Sequence, residues 1–177
     1  MNVGKGKTGI GLKAGFSLLE LMVVACVVGI VSLYFFDRVL FYQEMAEKTA
    51  VEITAMHLRN GVRFHVADML LHQKEKEING MEGANPMRWV DYPPPGYLGE
   101  LKHPQWDQIA PGSWYFDMDK GEIVYRVRRG RHFVSGTNGQ QVLRFRVVAS
   151  FHRSTSDPSI TLAEGLKLIL LEKYTWL

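Results

Sequence analysis

Cysteine is nearly absent from the sequence, which contains only Cys26. A single thiol can form neither a disulfide within the chain nor a zinc site made of several cysteines. Acidic residues are absent from residues 1–15, where Lys5, Lys7 and Lys13 are the only charged side chains. The whole chain has 21 Lys and Arg against 18 Asp and Glu, so these three lysines account for its formal net charge of +3. The remainder is neutral, which gives no general attraction to acidic partners.

Catalytic and phosphate-binding motifs are also missing from the sequence. It has no nucleophile elbow, no phosphate-binding loop and no paired-carboxylate motif. Its 177 residues are 46% hydrophobic and 22% charged, as in an ordinary globular domain with its own core. This composition excludes a disordered chain, a collagen and a polytopic membrane protein. We therefore expect a protein of about one domain that is not an enzyme and needs no cofactor.

Charge almost disappears from residues 16–36, a run of 21 residues whose one charged side chain is Glu20. As a helix this run would extend about 31 Å, which matches the hydrocarbon thickness of a bilayer. Lysines precede the run, and mixed charges follow it from Asp37 onward. The positive-inside rule then predicts a transmembrane helix with a cytoplasmic N-terminus, and residues 37–177 across the membrane.

Two familiar N-terminal signals fit this run incompletely. A secretory signal peptide has an apolar stretch of about 7–15 residues and a small-x-small cleavage site, whereas this run is longer and closes on bulky residues. Residues 23–26, Val-Val-Ala-Cys, resemble a lipoprotein signal in which Cys26 would carry lipid. A lipoprotein usually turns polar after that cysteine, but the next ten residues here are uncharged. Cys26 can equally be a small apolar residue of a membrane helix.

A third signal accounts for more of the residues. A basic leader, Gly15, Phe16, Glu20 and a charge-free stretch together resemble the class III signal of type IV prepilins and type II secretion pseudopilins. The resemblance is strongest over residues 13–36. It implies that a prepilin peptidase removes a leader at residues 1–15 and that the new N-terminal Phe16 is N-methylated. It also implies that Glu20, fifth in the mature chain, pairs with the Phe16 amine of a neighbouring subunit.

Glu20 also has a purely structural interpretation. Ser17-x-x-Glu20 matches the capping box that begins many helices, and this role is compatible with pairing. A carboxylate near the bilayer interior is costly, so it is usually functional or paired. Many family members have a glycine in the middle of this helix and a proline eight residues later; here these positions are Gly29 and Asp37. The missing proline weakens any analogy with helix melting in major pilins.

Apolar residues continue to recur at helical spacing after the predicted span. Six of them are separated by three or four residues: Val51, Ala55, Leu58, Val62, Val66 and Met69. This stripe predicts an amphipathic helix to about residue 73, with one face packed on a sheet. Asn60-Gly61 interrupts the pattern and predicts a bend. Residues 77–113 hold six of the seven prolines and predict a long irregular connection.

Strand patterns occupy residues 113–177. A hairpin is predicted where a charged turn separates residues 113–116 from residues 122–127. Apolar and polar residues alternate over residues 142–150, which predicts a further strand. The last candidate strand covers residues 166–176. The order of elements predicts an α+β fold. Within the resemblance it is a pilin-like domain: one long N-terminal helix, half of it transmembrane, packed on an antiparallel sheet of about four strands.

Arginines mark one candidate binding face on the predicted sheet. Arg126 and Arg128 share a face by strand alternation, and Arg144 and Arg146 extend it if their strand is the neighbour. Such a face could bind nucleic acid or another acidic partner, contact another subunit, or simply be solvated.

Two other patterns are poor metal sites, and we expect no bound metal. His57, His65 and His72 are spaced too widely along a helix to share an ion. The Asp117-x-Asp119 turn resembles only a fragment of a calcium loop.

These features predict a structural minor subunit of a type IV pilus or type II secretion pseudopilus, processed by prepilin peptidase. Its expected partners are that peptidase, other pilin or pseudopilin subunits and the bacterial inner membrane; nucleic acid is not expected. Its expected location is single-pass in the inner membrane, with the C-terminal domain in the periplasm, and then in the assembled filament. The alternatives are a membrane-tethered binding module, or a minor pilin that captures DNA or another acidic partner through the arginine face.

Overall fold

The computed structural model describes residues 17–135, 139–153 and 161–177. Its first element is a helix, α1 (Leu18–Leu71), of 54 residues. The chain divides into two compact units, residues 1–41 and residues 42–177. The described part of the first unit is helical and mostly apolar, with its large hydrophobic side chains from Leu18 to Leu40 exposed. An 18-residue window of α1 reaches a mean hydropathy of 2.4 with none of its residues buried, so the helix is long and apolar enough to cross a membrane.

The part of α1 in the second unit carries the predicted apolar stripe. All six of its members are buried: Val51, Ala55, Leu58, Val62, Val66 and Met69. The helix ends at Leu71, close to the predicted residue 73. The helix runs through Asn60-Gly61 without a break, and the bend expected there stays a prediction. Gly61 permits close packing: a Cβ there would lie 2.8 Å from Val90 Cγ1 and 2.9 Å from the Trp89 carbonyl oxygen.

Five strands form the main sheet. They are β1 (Tyr97–Leu101), β2 (Trp114–Asp117), β3 (Glu122–Arg126), β5 (Val142–Arg153) and β6 (Thr161–Leu170), in the spatial order β1-β2-β3-β5-β6. β1 is parallel to β2, and the other neighbours are antiparallel. The remaining strands, β4 (Phe133–Ser135) and β7 (Tyr174–Trp176), form a small antiparallel sheet of their own.

The α+β class is therefore confirmed, but the number of strands and their relative directions differ from the expected sheet. A purely antiparallel sheet of about four strands is wrong, because the main sheet is mixed and has five strands beside the small sheet. The predicted last strand over residues 166–176 is split, since β6 ends at Leu170 and β7 begins at Tyr174.

Residues 77–113 are also less irregular than the sequence predicts. They contain β1, the end of a short helix α2 (Glu75–Ile78), and three single turns of 3-10 helix. β1 carries a bulge between Tyr97 and Glu100, and Gly99 within it has φ of 93°. A bulge breaks the period-two alternation of apolar residues, so the sequence pattern could not reveal this strand.

Both faces of the central strands are covered. On one face the α1 stripe packs with residues of the sheet such as Ile123, Tyr125 and Phe145. On the other face a smaller cluster joins Ile109, Tyr115, Val124 and Val142. All four residues of β2 are consequently buried, which explains why three consecutive aromatic residues precede Asp117 without alternation.

Candidate functional site

The start of α1 places Glu20 in a defined local structure. The backbone N–H of Glu20 donates to Ser17 Oγ at 3.2 Å, which is one arm of the predicted capping box. Glu20 therefore lies in the first turn of α1, where the helix dipole favours a negative charge. Gly15 and Phe16, the predicted cleavage and methylation positions, lie outside the described residues. The cap positions Glu20 without using its charge, so a role in pairing stays a prediction.

The helix surface that follows Glu20 is apolar on all sides. Leucine, valine, isoleucine and phenylalanine side chains are exposed around the whole circumference of residues 18–36. Cys26 is a free, exposed thiol within this stretch, and α1 passes through it without a break. A helix that is hydrophobic all round needs a bilayer or other apolar helices around it.

Glu44, early in the second unit, is a buried carboxylate that joins three parts of that unit. Its side chain is only 2% exposed. Oε1 accepts hydrogen bonds from the His132 backbone N–H at 2.9 Å and from Trp176 Nε1 at 3.2 Å, while Oε2 lies 2.8 Å from His132 Nδ1. Glu44 thus ties α1 to the segment before β4 and to β7.

Glu47, one turn further along α1, binds the adjoining part of the same segment. Oε1 accepts from the Tyr125 hydroxyl at 2.8 Å and from the Arg128 backbone N–H at 2.6 Å, and Oε2 accepts from the Arg129 backbone N–H at 2.9 Å. Burial, together with this hydrogen bond to Glu47, raises the pKa of Tyr125 well above its ordinary value. The two carboxylates hold residues 128–132 against α1, and we call this stretch the clamped loop.

The sequence contained a signal for this clamp that the apolar pattern did not reveal. Glu44 and Glu47 precede Val51 by seven and four residues, so they continue the buried stripe at the same helical spacing. A charged residue at a core position is rare unless it has a partner. Because those partners come from residues 125–132 and 176, far away in sequence, they could be identified only from the fold.

Most arginines of the predicted face contact other groups of the same chain. The guanidinium of Arg126 lies 4.0 Å from the Trp106 ring centroid and donates to the carbonyl oxygens of Trp106 and Ile109. Arg146 donates to Glu122 at 2.8 Å, and Arg144 lies 3.7 Å from Glu172.

The strand register places these three arginines on one face of the sheet. The fourth member of the predicted set, Arg128, is not on that face. Arg144 is paired with Val124, so it lies on the sheet face away from the α1 stripe, and Arg126 and Arg146 follow by alternation. Arg128 lies beyond the end of β3 in the clamped loop, where its Nε donates to the Pro111 carbonyl at 3.3 Å. Binding of an acidic partner by this set stays a prediction.

The carboxylate oxygens of the acidic turn at the end of β2 accept hydrogen bonds from nearby backbone N–H groups. Asp117 Oδ1 accepts from the backbone N–H groups of Asp119 and Lys120, at 3.0 and 3.1 Å. Asp119 Oδ2 accepts from the His103 N–H at 2.6 Å and lies 2.8 Å from His103 Nδ1. Within the described ranges, no group of three His, Cys, Asp or Glu side chains is placed to hold a metal ion.

A shallow groove of about 850 Å³ runs beside the exposed side of α1 in the second unit. The loop of residues 89–95 forms its other wall. Two exposed aromatic residues border it, Phe64 at 76% and Tyr92 at 88% exposure. His65 stacks on Trp89, with ring centroids 4.5 Å apart, and this contact fixes the loop against the helix. The groove is an apolar surface of the kind that contacts another protein.

The clamp predicts a pH dependence of stability. Burial alone raises the pKa of Glu44, but the hydrogen bonds from His132 and Trp176 outweigh it, so the net pKa is below the ordinary value of 4.5. A carboxyl group whose pKa falls on folding stabilises the folded state above its unfolded pKa, and this contribution is lost as the pH falls through the folded pKa. We expect the Tm of the full chain in detergent to fall as the pH is lowered below about 4.5, the ordinary pKa of the group, with Glu44→Gln showing a smaller fall.

At pH 7 the same variant should lose about 1–3 kcal/mol of stability, because the charge-assisted hydrogen bonds of a buried group are weakened. Glu75→Gln, at an exposed position of α2, is the matched control and should leave the pH profile unchanged. Identical profiles for Glu44→Gln and the wild type would show that the clamp contributes nothing to acid sensitivity.

Comparison of the chain with protein-family models, with curated proteins and with solved structures finds no match. The function proposed below therefore depends on the residues and geometry of this chain and on the resemblance of its N-terminal signal.

Proposed function

We propose that this protein is a structural minor subunit of a filament anchored in the bacterial inner membrane, of the type IV pilus or type II secretion class. The observation that carries the proposal is the sequence Gly15-Phe16 shortly before an exposed apolar helix that has Glu20 in its first turn. A tether needs only the apolar helix. The cleavage glycine and a carboxylate five residues after it serve processing and assembly, so they favour a filament subunit.

The apolar part of α1 supplies a physical route to assembly. In the membrane its side chains are solvated by lipid, and in a filament the same surface is covered by helices of other subunits. Lipid tails are as apolar as leucine, so the exchange has little hydrophobic driving force. A charge pair between Glu20 and the amine of Phe16 in a neighbouring subunit would supply the missing attraction and set the axial register.

The second unit has the features expected of the part that the filament displays. It has its own core, and it contains the groove beside residues 89–95 as a surface for another subunit. With the N-terminus in the cytoplasm, this unit lies in the periplasm. The protein's work is assembly, and its partners are prepilin peptidase and other pilin or pseudopilin subunits. Capture of DNA by the arginine face is less favoured, because Arg126, Arg144 and Arg146 already contact protein groups.

Processing is the test of this proposal. Co-expression with a prepilin peptidase should remove residues 1–15 and leave N-methylated Phe16, which intact-mass measurement detects directly. Gly15→Val should leave the chain uncut, because the peptidase must accommodate the backbone at the cleavage site. Gly11→Val, the same substitution inside the leader, is the control and should be cut normally. An uncut wild-type chain would favour a tethered binding module, and a mature chain that starts at a lipid-bearing Cys26 would show a lipoprotein.

A further inference from the structure

The main sheet ends at β6, which pairs with β5 and has no second neighbouring strand in the part of the chain that the structure describes. The Leu171 N–H donates to the Arg144 carbonyl oxygen at 2.9 Å, which fixes the residues whose backbone groups face β5. Because these groups alternate along an antiparallel pair, Lys167 and Ile169 also face β5. Three residues of β6 consequently direct their N–H and C=O groups to the free edge: Leu166, Leu168 and Leu170.

A second hydrogen bond supports this direction. The same alternation turns Val147 of β5 away from β6, since it follows Arg144 by three residues. Its carbonyl oxygen accepts from the Gly83 N–H at 2.9 Å. Gly83 lies beside Gly121, in the turn before β3, so this bond is made on the β3 side of β5. Both bonds therefore assign the same residues to the free edge of β6.

A groove of about 430 Å³ follows this edge. It is lined by residues 165–169 of β6, together with Ser150 of β5 and Arg59, Arg63 and Val66 of α1. Consecutive residues of a strand point to opposite faces of the sheet, so lining by five in a row means that the groove opens onto the strand edge. The short helix α2 is also near β6, but its residues do not line the groove.

The described side chains of the groove carry positive charge. Arg59 and Arg63 are exposed and lie one turn apart on α1, and Lys167 is exposed on β6. No acidic residue is among the lining residues that the structure describes. Glu52 lies near the same tyrosine as Arg59, Tyr174, but does not line the groove. A ligand in this groove would therefore meet unpaired backbone groups on one side and cations on the other.

We propose that the free edge of β6 binds an extended acidic segment of another protein, which joins the sheet as a further strand. Strand addition of this kind gains its affinity from backbone hydrogen bonds, here with Leu166, Leu168 and Leu170. Every second side chain of the added strand would lie on the α1 side, where carboxylates can form charge-assisted hydrogen bonds with Arg59 and Arg63. The inference uses only residues of the second unit, so it stands independently of the proposed function.

A second copy of this chain is a poor occupant of the edge. Pairing of two β6 edges would bring two identical sets of cations together, and like charges opposite each other in a sheet are destabilising. An edge-strand lysine such as Lys167 is also a common protection against self-pairing. Acidic residues at alternate positions of a different protein would remove this repulsion.

The experiment uses the full chain in a nonionic detergent and a synthetic eight-residue peptide in which threonine and glutamate alternate. Hydrogen exchange is followed at single amides by NMR. With saturating peptide, we expect the amides of Leu166 and Leu168 to exchange at least about tenfold more slowly, because each gains a hydrogen bond. The amides of Lys167 and Ile169 already bond to β5 and should change less than about twofold.

Substitution of Arg63 tests the contribution of charge. Arg63→Gln should weaken binding of the labelled peptide at least about fivefold in fluorescence anisotropy, because one charge-assisted contact is lost. Lys102→Gln is the matched control: it removes one positive charge from an exposed position directly after β1 and should leave the affinity unchanged. A peptide of alternating threonine and lysine should protect neither Leu166 nor Leu168.

Four results would overturn the inference. The first is no binding of the glutamate peptide at millimolar concentration. Binding without slower exchange of Leu166 and Leu168 would show a contact through charge alone, without an added strand. Equal protection by the glutamate and lysine peptides would show that the edge does not select acidic segments. Protection that needs no peptide and grows with protein concentration would show pairing between two copies of the chain.

Discussion

Leu58→Asp is expected to abolish folding of the second unit. Leu58 is 1% exposed at the centre of the α1 stripe and belongs to the core shared with the sheet. The substitution removes a large apolar side chain, which alone costs about 2–5 kcal/mol, and it places an unpaired carboxylate in the same space. The sum is comparable with the whole stability of a typical domain, about 5–15 kcal/mol. Circular dichroism of the full chain in detergent should show loss of strand signal and of cooperative melting.

Met56→Asp provides the matched control for this prediction. Met56 lies on the same helix two residues earlier, but its side chain is 51% exposed and outside the stripe. An exposed aspartate loses only helix propensity and a little apolar burial, so the Tm should change by a few degrees at most. If Leu58→Asp melts cooperatively at a Tm similar to that of Met56→Asp, the stripe is not the side of α1 that holds the core.

The contrast between these two positions shows what the sequence could reveal about the fold. The stripe from Val51 to Met69 is visible because a helix repeats every 3.6 residues and because its core face is continuous. The apolar run at residues 16–36 is visible for a similar reason, since membrane spanning requires length and lack of charge. Each of these properties belongs to one continuous segment of the chain.

The features that escaped prediction depend on contacts between distant segments. β1 is defined by its pairing with β2, and the bulge near Gly99 removes the alternation that would have marked it. Glu44 and Glu47 were visible as charges after the apolar run, but nothing in their neighbourhood indicates that residues 125–132 and Trp176 satisfy them. Gly61 illustrates the same limit: its sequence context predicted only a bend, whereas the close approach of Trp89 and Val90 explains why a glycine is needed there.

The candidate site was likewise only partly predictable. The proposed processing signal, Gly15-Phe16 with Glu20, is local, so the sequence alone contains the whole pattern. The arginine pattern grouped four arginines on one face but did not separate two environments. Arg126, Arg144 and Arg146 neutralise or stack on neighbouring groups of the sheet, whereas Arg128 belongs to the clamped loop with Arg129. Only the register between β3 and β5 and the end of β3 at Arg126 distinguish the two sets.

Glu20→Gln is expected to separate helix capping from intersubunit pairing. The observed cap is the bond from the Glu20 backbone N–H to Ser17 Oγ, which does not involve the carboxylate, and glutamine also serves at this position of a capping box. We therefore expect the variant to insert in the membrane and to be cut after Gly15 like the wild type. Pairing needs the negative charge, because an ammonium group left alone in an apolar filament core is strongly penalised. We expect at least a tenfold loss of incorporation into filaments.

Crosslinking to neighbouring subunits measures this loss, with wild type and variant compared at equal abundance in the membrane. Glu52→Gln is the matched control, since it removes a carboxylate from an exposed position of the same helix in the second unit. It should crosslink as efficiently as the wild type. If Glu20→Gln also crosslinks at the wild-type level, the charge at this position does not recruit the subunit. The acid-to-amide change would then affect only the start of α1. There the hydrogen bond from the Glu20 backbone N–H to Ser17 Oγ caps the helix without the carboxylate.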